Sequence, residues 1–353
     1  MAEGRPGRTY ADAGVDIEAG EKAVHLISDA VRSTHRREVL GGIGGFGGLF
    51  AVDTGRWRQP VLVASTDGVG TKGAVAAATG RYGTIGVDLV AMLADDVVCS
   101  GAEPLFLLDY LAVGKLDPDT AAAIVGGVAD GCRQAGCALL GGEMAEHPGS
   151  MAPGEFDLSG TVVGAVERAE VLGPDRVRPG DQLVGLLSPG LRCNGYSLAR
   201  QVLLAGRDLD DPAWSGADRT VAEVLLEPSV IYSPAVLAVG RDLGTGLHAA
   251  AHITGGGLVG NLPRVLPSGT AAGLEWGAWE VPAVFAEIRR AGPVEPAEMA
   301  RVFNLGLGMV LVVAPGAGTR AVAAAREAGC AAAVVGEVMA GDGGVRIDGL
   351  EAL

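Results

Sequence analysis

Four carboxylates stand out because each ends or interrupts an otherwise apolar run: Asp67, Asp96, Asp109 and Glu143. Acids emerging from buried segments repel one another unless a cation sits among them, and hard oxygen ligands suit Mg²⁺. Asp67 belongs to the stretch PVLVASTDGVGTK, residues 60–72, where an apolar run breaks into Thr66, Asp67, Gly68, Thr71 and Lys72. A carboxylate, an ammonium and open backbone amides at a strand end are the equipment for a phosphate and its metal ion. Lys72 could hold a phosphate as a point charge or pair with a neighbouring acid. Asp95 and Asp96 lie toward the C-terminal part of a predicted helix, where the macrodipole opposes negative charge. Asp88, seven residues before Asp95, shares its face.

Other chemistries find little support. The spacing is not GxxxxGK[ST], and no GxGxxG follows a first strand with an acid about 20 residues on, so neither a standard P-loop nor a dinucleotide site is expected. There is no GxSxG, and the five histidines show no HxxxH or zinc spacing. Of these histidines only His252, which borders TGGG, is worth weighing. The loop GGIGGFGGLF, residues 41–50, reads either as a ligand loop or as a flexible turn.

The elements that must position these groups follow from periodicity. Residues 22–32 and 85–100 have helical spacing, and 104–113 is a buried strand interrupted by Asp109. Asp117 as N-cap with Pro118 after it starts a helix that ends near Gly136, and CALLGGE then forms a short strand reaching Glu143. In the second half, a strand at 182–187, the loop SPGLRCNG, helices from Tyr196 and Ser233, and a loop-to-strand run at 303–313 repeat the style. The order predicts a layered α/β (α+β) fold with a flexible tail at 1–9, an N-terminal domain at 10–170 and a C-terminal domain at 171–353.

The totals narrow the partners. A net charge of −15 argues against a nucleic-acid or anionic-membrane surface, while leaving room for a small anion in a local pocket. Aromatics are only 4% of a chain that is 48% hydrophobic, so small side chains must bring backbones close together. The five cysteines form no CxxC pair and read as reduced core thiols. With no signal peptide and no membrane-length apolar run, a cytoplasmic protein is expected.

Taken in order, YADAGVDIEAG, GGIGGFGGLF, TDGVGTK, GVDLVAMLADDVVCSGAEPLFLLDY, GCALLGGEMAEHPG, CNGYSL, HITGGG and FNLGLGM span nearly the whole chain. In these blocks the sequence resembles the aminoimidazole ribonucleotide synthetase family, the phosphoribosylformylglycinamidine cyclo-ligases of purine biosynthesis. The resemblance implies ATP and Mg²⁺ as cofactors, an amide or amidine ribonucleotide as substrate, and a homodimer. The N-terminal sheets would build a shared barrel, and a C-terminal α/β sandwich would close over the cleft. It implies Asp67, Asp96 and Glu143 at the metal, and Gly44, Gly45, Phe46, Gly47, Gly48, Thr66, Asp67, Gly68, Thr71, Lys72 and Asp109 around ATP. Asn194, Gly195, His252, Thr254, Gly255 and Gly256 would face the ribonucleotide, with Asp96, Lys72, Asn194 and Arg192 as the catalytic group.

Three positions depart from that pattern. The family has lysine where this chain has Ser28, histidine and serine where it has Arg192 and Cys193, and threonine where it has Met144. Arg192 keeps a positive charge but cannot shuttle a proton. Two other readings follow: a paralogue applying the same amide activation to a different substrate, and a non-catalytic nucleotide-binding partner subunit. Selenophosphate synthetase chemistry is disfavoured, because residues 10–20 hold neither cysteine nor lysine.

Overall fold

The computed structural model describes residues 13–353; the expected tail at 1–9 and the first part of the acidic segment lie outside the described residues. Helix α1 (Ile17–Arg32) starts earlier than periodicity suggests, because Asp16 caps it and accepts the Ala19 N–H at 3.1 Å. Residues 17–20, the end of YADAGVDIEAG, are therefore a first helical turn. Strands β1 (Val39–Leu40) and β2 (Leu49–Phe50) pair antiparallel and close the glycine loop between them.

Next come β3 (Pro60–Gly68), α2 (Lys72–Thr79), α3 (Ile85–Val98), β4 (Glu103–Val113), α4 (Pro118–Ala135), β5 (Ala138–Glu146) and β6 (Phe156–Glu167). The four strands form one sheet in the order β3-β6-β4-β5, in which only β4 and β5 run parallel, joined by α4 as the crossover. Helix α4 has the expected punctuation: the Asp117 carboxylate accepts the Thr120 N–H at 3.0 Å, and Gly136 ends it with a left-handed φ of 73°.

One face of this sheet is covered, with Leu107, Leu111, Leu158 and Val162 in the core that α3 and α4 complete. All residues of α3 except Asp96 are buried. Its crossing with α4 is close, since a Cβ on Gly86 would lie 2.1 Å from the Val128 backbone nitrogen. The opposite face is bare: Leu62 is 62% exposed and Leu108 and Tyr110 are each 39% exposed.

The second half runs β7 (Gln182–Leu187), α5 (Tyr196–Leu203), α6 (Val221–Leu225), α7 (Ser233–Leu243), β8 (Leu247–His252), α8 (Gly257–Asn261), β9 (Thr270–Glu275), α9 (Ala283–Ala291), α10 (Pro296–Val302), β10 (Leu307–Val313), α11 (Gly318–Glu327), β11 (Ala332–Ala340) and β12 (Val345–Asp348). Its sheet has the order β12-β9-β11-β7-β10-β8. Every residue of β10 is buried because both faces are covered. Met309, Leu311 and Val313 pack with α7 and α11, while Leu307, Val310 and Val312 belong to the core that includes α5, α8, α9 and α10. Among the described residues no helix is long and apolar enough to cross a membrane, and no cysteine is bridged.

Candidate active site between the two halves

Asp96, the one residue of α3 that is not buried, has a side chain 36% exposed. Its Oδ2 accepts the Ser65 hydroxyl at 2.7 Å, and its Oδ1 lies 2.8 Å from His252 Nδ1 at the end of β8. Burial pushes this carboxyl up, but the His252 and Ser65 hydrogen bonds outweigh it and hold Asp96 below the usual range. Asp67 shares the covered face of β3 with Ser65, by strand alternation. Burial raises its carboxyl, the Gly68 N–H partly offsets this, and the nearby charge of Asp96 adds to the rise. Two neighbouring acids, one held below the usual range and one pushed up by burial and by its neighbour's charge, are a donor set that a hard divalent cation would relieve.

The loop after β8 forms another wall. The Asn261 amide donates to Gly257 O at 2.8 Å and to Thr254 O and Gly255 O at 3.3 Å, which folds Thr254, Gly255 and Gly256 into a tight turn. Asn194 lies beside it: a methyl on Gly255 would be 3.9 Å from Asn194 Nδ2. Gly195, with φ 78°, follows Asn194 and leads into α5. Thr71 stands exposed at the start of α2 with no capping bond of its own.

Several expected site residues are placed elsewhere. Lys72 is fully buried; its ammonium donates to Glu227 O at 2.7 Å and lies 2.7 Å from Asp88 Oδ2, so it pairs with an acid and does not face a phosphate. Asp88 is consumed in the same place, because its Oδ1 accepts the Ser229 N–H and hydroxyl. Glu143 is in register with Tyr110 on the bare face of the sheet, opposite to Asp67 and Asp96. Thr66 is also exposed there and donates to Gly160 O. Asp109 is on the covered face, but Gly160 separates it from Asp67 in the register, and burial pushes its carboxyl up to about 7. Hence the four carboxylates do not converge, and among the described residues no three His, Cys, Asp or Glu gather closely enough to hold a metal.

Arg192 is 1% exposed and bonded on several sides, so it does not reach the cleft. In the glycine loop, Phe46 is fully exposed and Gly44 and Gly47 border open space, whereas Gly48 is tight against Leu140. A separate cavity of about 340 Å³, lined by Tyr82, Leu116 and Phe156 among others, contains none of the expected site residues.

The geometry adds residues that sequence reasoning passed over. Ser65 precedes Asp67 by two positions on an alternating strand, which was a readable sign that both share a face. Asp95, read from the sequence only as the neighbour of Asp96 on a helix and given no site role, is fully buried and receives the Tyr232 and Ser233 N–H groups at 2.7 and 3.0 Å. Arg264, whose charge helps lower Asp96, and Asn261 carried no motif signal.

Comparison with known proteins agrees along the whole chain. Residues 53–166 match the family described as AIR synthase related protein, N-terminal domain, and residues 178–349 match its C-terminal domain. A phosphoribosylformylglycinamidine cyclo-ligase of Anaeromyxobacter sp. is 54% identical over 95% of this chain and 97% of its own length. The enzymes of that name from Myxococcus xanthus and Symbiobacterium thermophilum are 52% and 53% identical, covering 96% and 97% of this chain and 97% and 98% of their own. Among solved structures, thiamine-monophosphate kinase from Stenotrophomonas maltophilia superposes with a TM-score of 0.67 at 21% identity, covering 92% of this chain and 96% of that one. The hydrogenase maturation protein HypE in complex with ATP superposes with a TM-score of 0.63 at 18% identity, over 98% and 92% of the two chains. These two likenesses establish a shared fold.

Proposed function

Because the chain belongs to the phosphoribosylformylglycinamidine cyclo-ligase (AIR synthase) family, we propose that the cleft beside Asp96 carries out that family's reaction. ATP phosphorylates the formamide oxygen of formylglycinamidine ribonucleotide. The ribose-bearing amidine nitrogen closes on the activated carbon, and aminoimidazole ribonucleotide, ADP and phosphate leave. The carrying observation is identity of 54% sustained over 95% of this chain. An amide oxygen is a poor leaving group, so the chemistry needs phosphorylation, and such transfers depend mainly on positioning and charge neutralisation.

Mg²⁺, when bound, would neutralise phosphate charge during the transfer. Asp67 and Asp96 are the oxygen donors suited to hold it: they lie close enough for the charge of Asp96 to add to the rise that burial imposes on the Asp67 carboxyl, which supports the fit. Ser65 and His252 fix the Asp96 carboxylate, while Thr71 and the open backbone before α2 face the phosphates. Asn194, Thr254, Gly255 and Gly256 take the ribonucleotide side. Glu143 and Thr66 join from the bare sheet face, which we assign to a homodimer with a shared barrel-like sheet. Sedimentation should then give twice the 35.5 kDa chain mass, and Leu108→Asp should reduce it to one. ATP and a phosphorylated substrate, neither of which crosses a membrane unaided, support a cytoplasmic location.

The assay is direct. Purified protein with ATP, Mg²⁺ and formylglycinamidine ribonucleotide should release ADP and phosphate and form the diazotisable aminoimidazole. ADP release only with some other amide would reject this substrate in favour of a paralogue's.

A further inference from the structure

Arg192 has a left-handed backbone, φ 62°, which is uncommon for a residue with a side chain. Its contacts over-determine that conformation. The guanidinium donates to Asp95 Oδ2 at 2.7 Å and to Val230 O at 2.6 Å, lies 4.6 Å from the Tyr232 ring centroid, and meets His252 Nε2 at 3.1 Å. Asp95 is in turn held by the Tyr232 and Ser233 N–H groups, so Arg192 has a fixed brace. A strained residue held this firmly, two positions before Asn194 in the loop that leads into α5, points to a role in the site.

The chemistry of the donors makes that role specific. A guanidinium has donors only, so His252 Nε2 must accept from Arg192 and the ring proton must sit on Nδ1. Nδ1 faces the Asp96 carboxylate at 2.8 Å, and the other oxygen of Asp96 takes the Ser65 hydroxyl. We propose that Arg192 is a positioning residue: braced by Asp95, it holds His252 as the Nδ1–H tautomer, whose hydrogen bond aims the Asp96 carboxylate into the cleft. The kinetic part of this proposal rests on the cyclo-ligase reading; the tautomer part does not. Asp95 and Arg192 then act as one unit, although they lie 97 residues apart.

Removing Arg192 alone would leave Asp95 as an unpaired buried charge and could prevent folding. The informative variant is therefore Arg192→Met with Asp95→Asn, which removes both charges together and keeps an acceptor for the Tyr232 and Ser233 N–H groups. In the full-length protein its KM for each substrate should stay within about threefold, while kcat falls roughly 10- to 100-fold, the usual cost of losing an outer orienting partner. Histidine-selective ¹⁵N NMR, with the His252 signals assigned through His252→Gln, should show Nδ1–H in the parent and a tautomer mixture in the double variant. A kcat within twofold of the parent, or a parent His252 protonated on Nε2, overturns the proposal. Parent protein that forms no aminoimidazole sinks the cyclo-ligase reading alone, because the histidine resonances still decide whether Arg192 holds His252.

Discussion

Asp109 is opposed in its burial only by its own backbone N–H, and its carboxyl sits at about 7. A carboxyl raised in the folded state binds protons that the unfolded chain has released. Its contribution is therefore most favourable below about pH 4 and is lost as the pH rises through 7. The gap from an ordinary 3.8 to about 7 corresponds to at most about 4 kcal/mol. Asp109→Asn should raise the melting temperature at pH 8 and lose that advantage as the pH approaches 4; thermal melts at pH 8, 6 and 4.5 would test it, and a pH-independent difference would reject the burial argument. Asp67 and Asp96 were legible as candidates because each breaks an apolar run, and the fold makes them neighbours. Glu143 broke a run in the same way but faces the other side of the sheet. Strand parity could not be followed there, because the β4–β5 register shifts between Leu107 and Leu108 beside the Gly141–Gly142 pair. Of the two readings of Lys72, the structure favours the ion pair; the sequence did not decide between them, because its partner Asp88 comes from another helix.

The helices were legible where a cap, a proline or a terminal glycine marked them, as at Asp117, Pro118 and Gly136. Strands β9 and β11 were not singled out, since alanine and glycine carry little alternation, and β12, VRID, alternates over only four residues. In β11, Gly336 fits where a Cβ would lie 1.9 Å from Gly273 O. Small residues also set the α3–α4 crossing, and this gives a paired test. Gly86→Ala drives a methyl into the α4 backbone and should destabilise by roughly 1–3 kcal/mol or more. Gly126→Ala, with nothing within 4 Å of the new methyl, should be neutral or stabilise by about 0.5–1 kcal/mol. Urea denaturation of both variants checks the contrast, and equal effects would mean that the crossing is looser than described.

At the scale of the whole molecule, residues 227–233 of the second half strap across α3 and the start of α2 of the first. Glu227 O receives Lys72, Ser229 binds Asp88, and Tyr232 and Ser233 bind Asp95. Every one of these groups is polar and out of solvent or nearly so, which makes separation of the halves costly. Lys72→Met or Asp88→Asn alone should each lower stability by about 3–5 kcal/mol, because each strands its buried partner. Calorimetry of the parent should show one transition for both halves. Two resolved transitions would show that the strap does not couple them. The layered architecture was readable from the sequence, but this strap was not, because EPSVIYS has no periodicity and its partners lie more than 130 residues away.

That strap and Arg192 also set a schedule. Helix α3 presents Asp95 to an interior that does not yet exist when the helix is made, and its guanidinium partner follows 97 residues later. At a synthesis rate of roughly 5–20 residues per second, the gap is about 5–20 s. During that interval the sheet side of α3 can already pack, but its Asp88 and Asp95 side waits for its cover, so the ribosome's pace and the cell's chaperones bear on its yield before its equilibrium stability does.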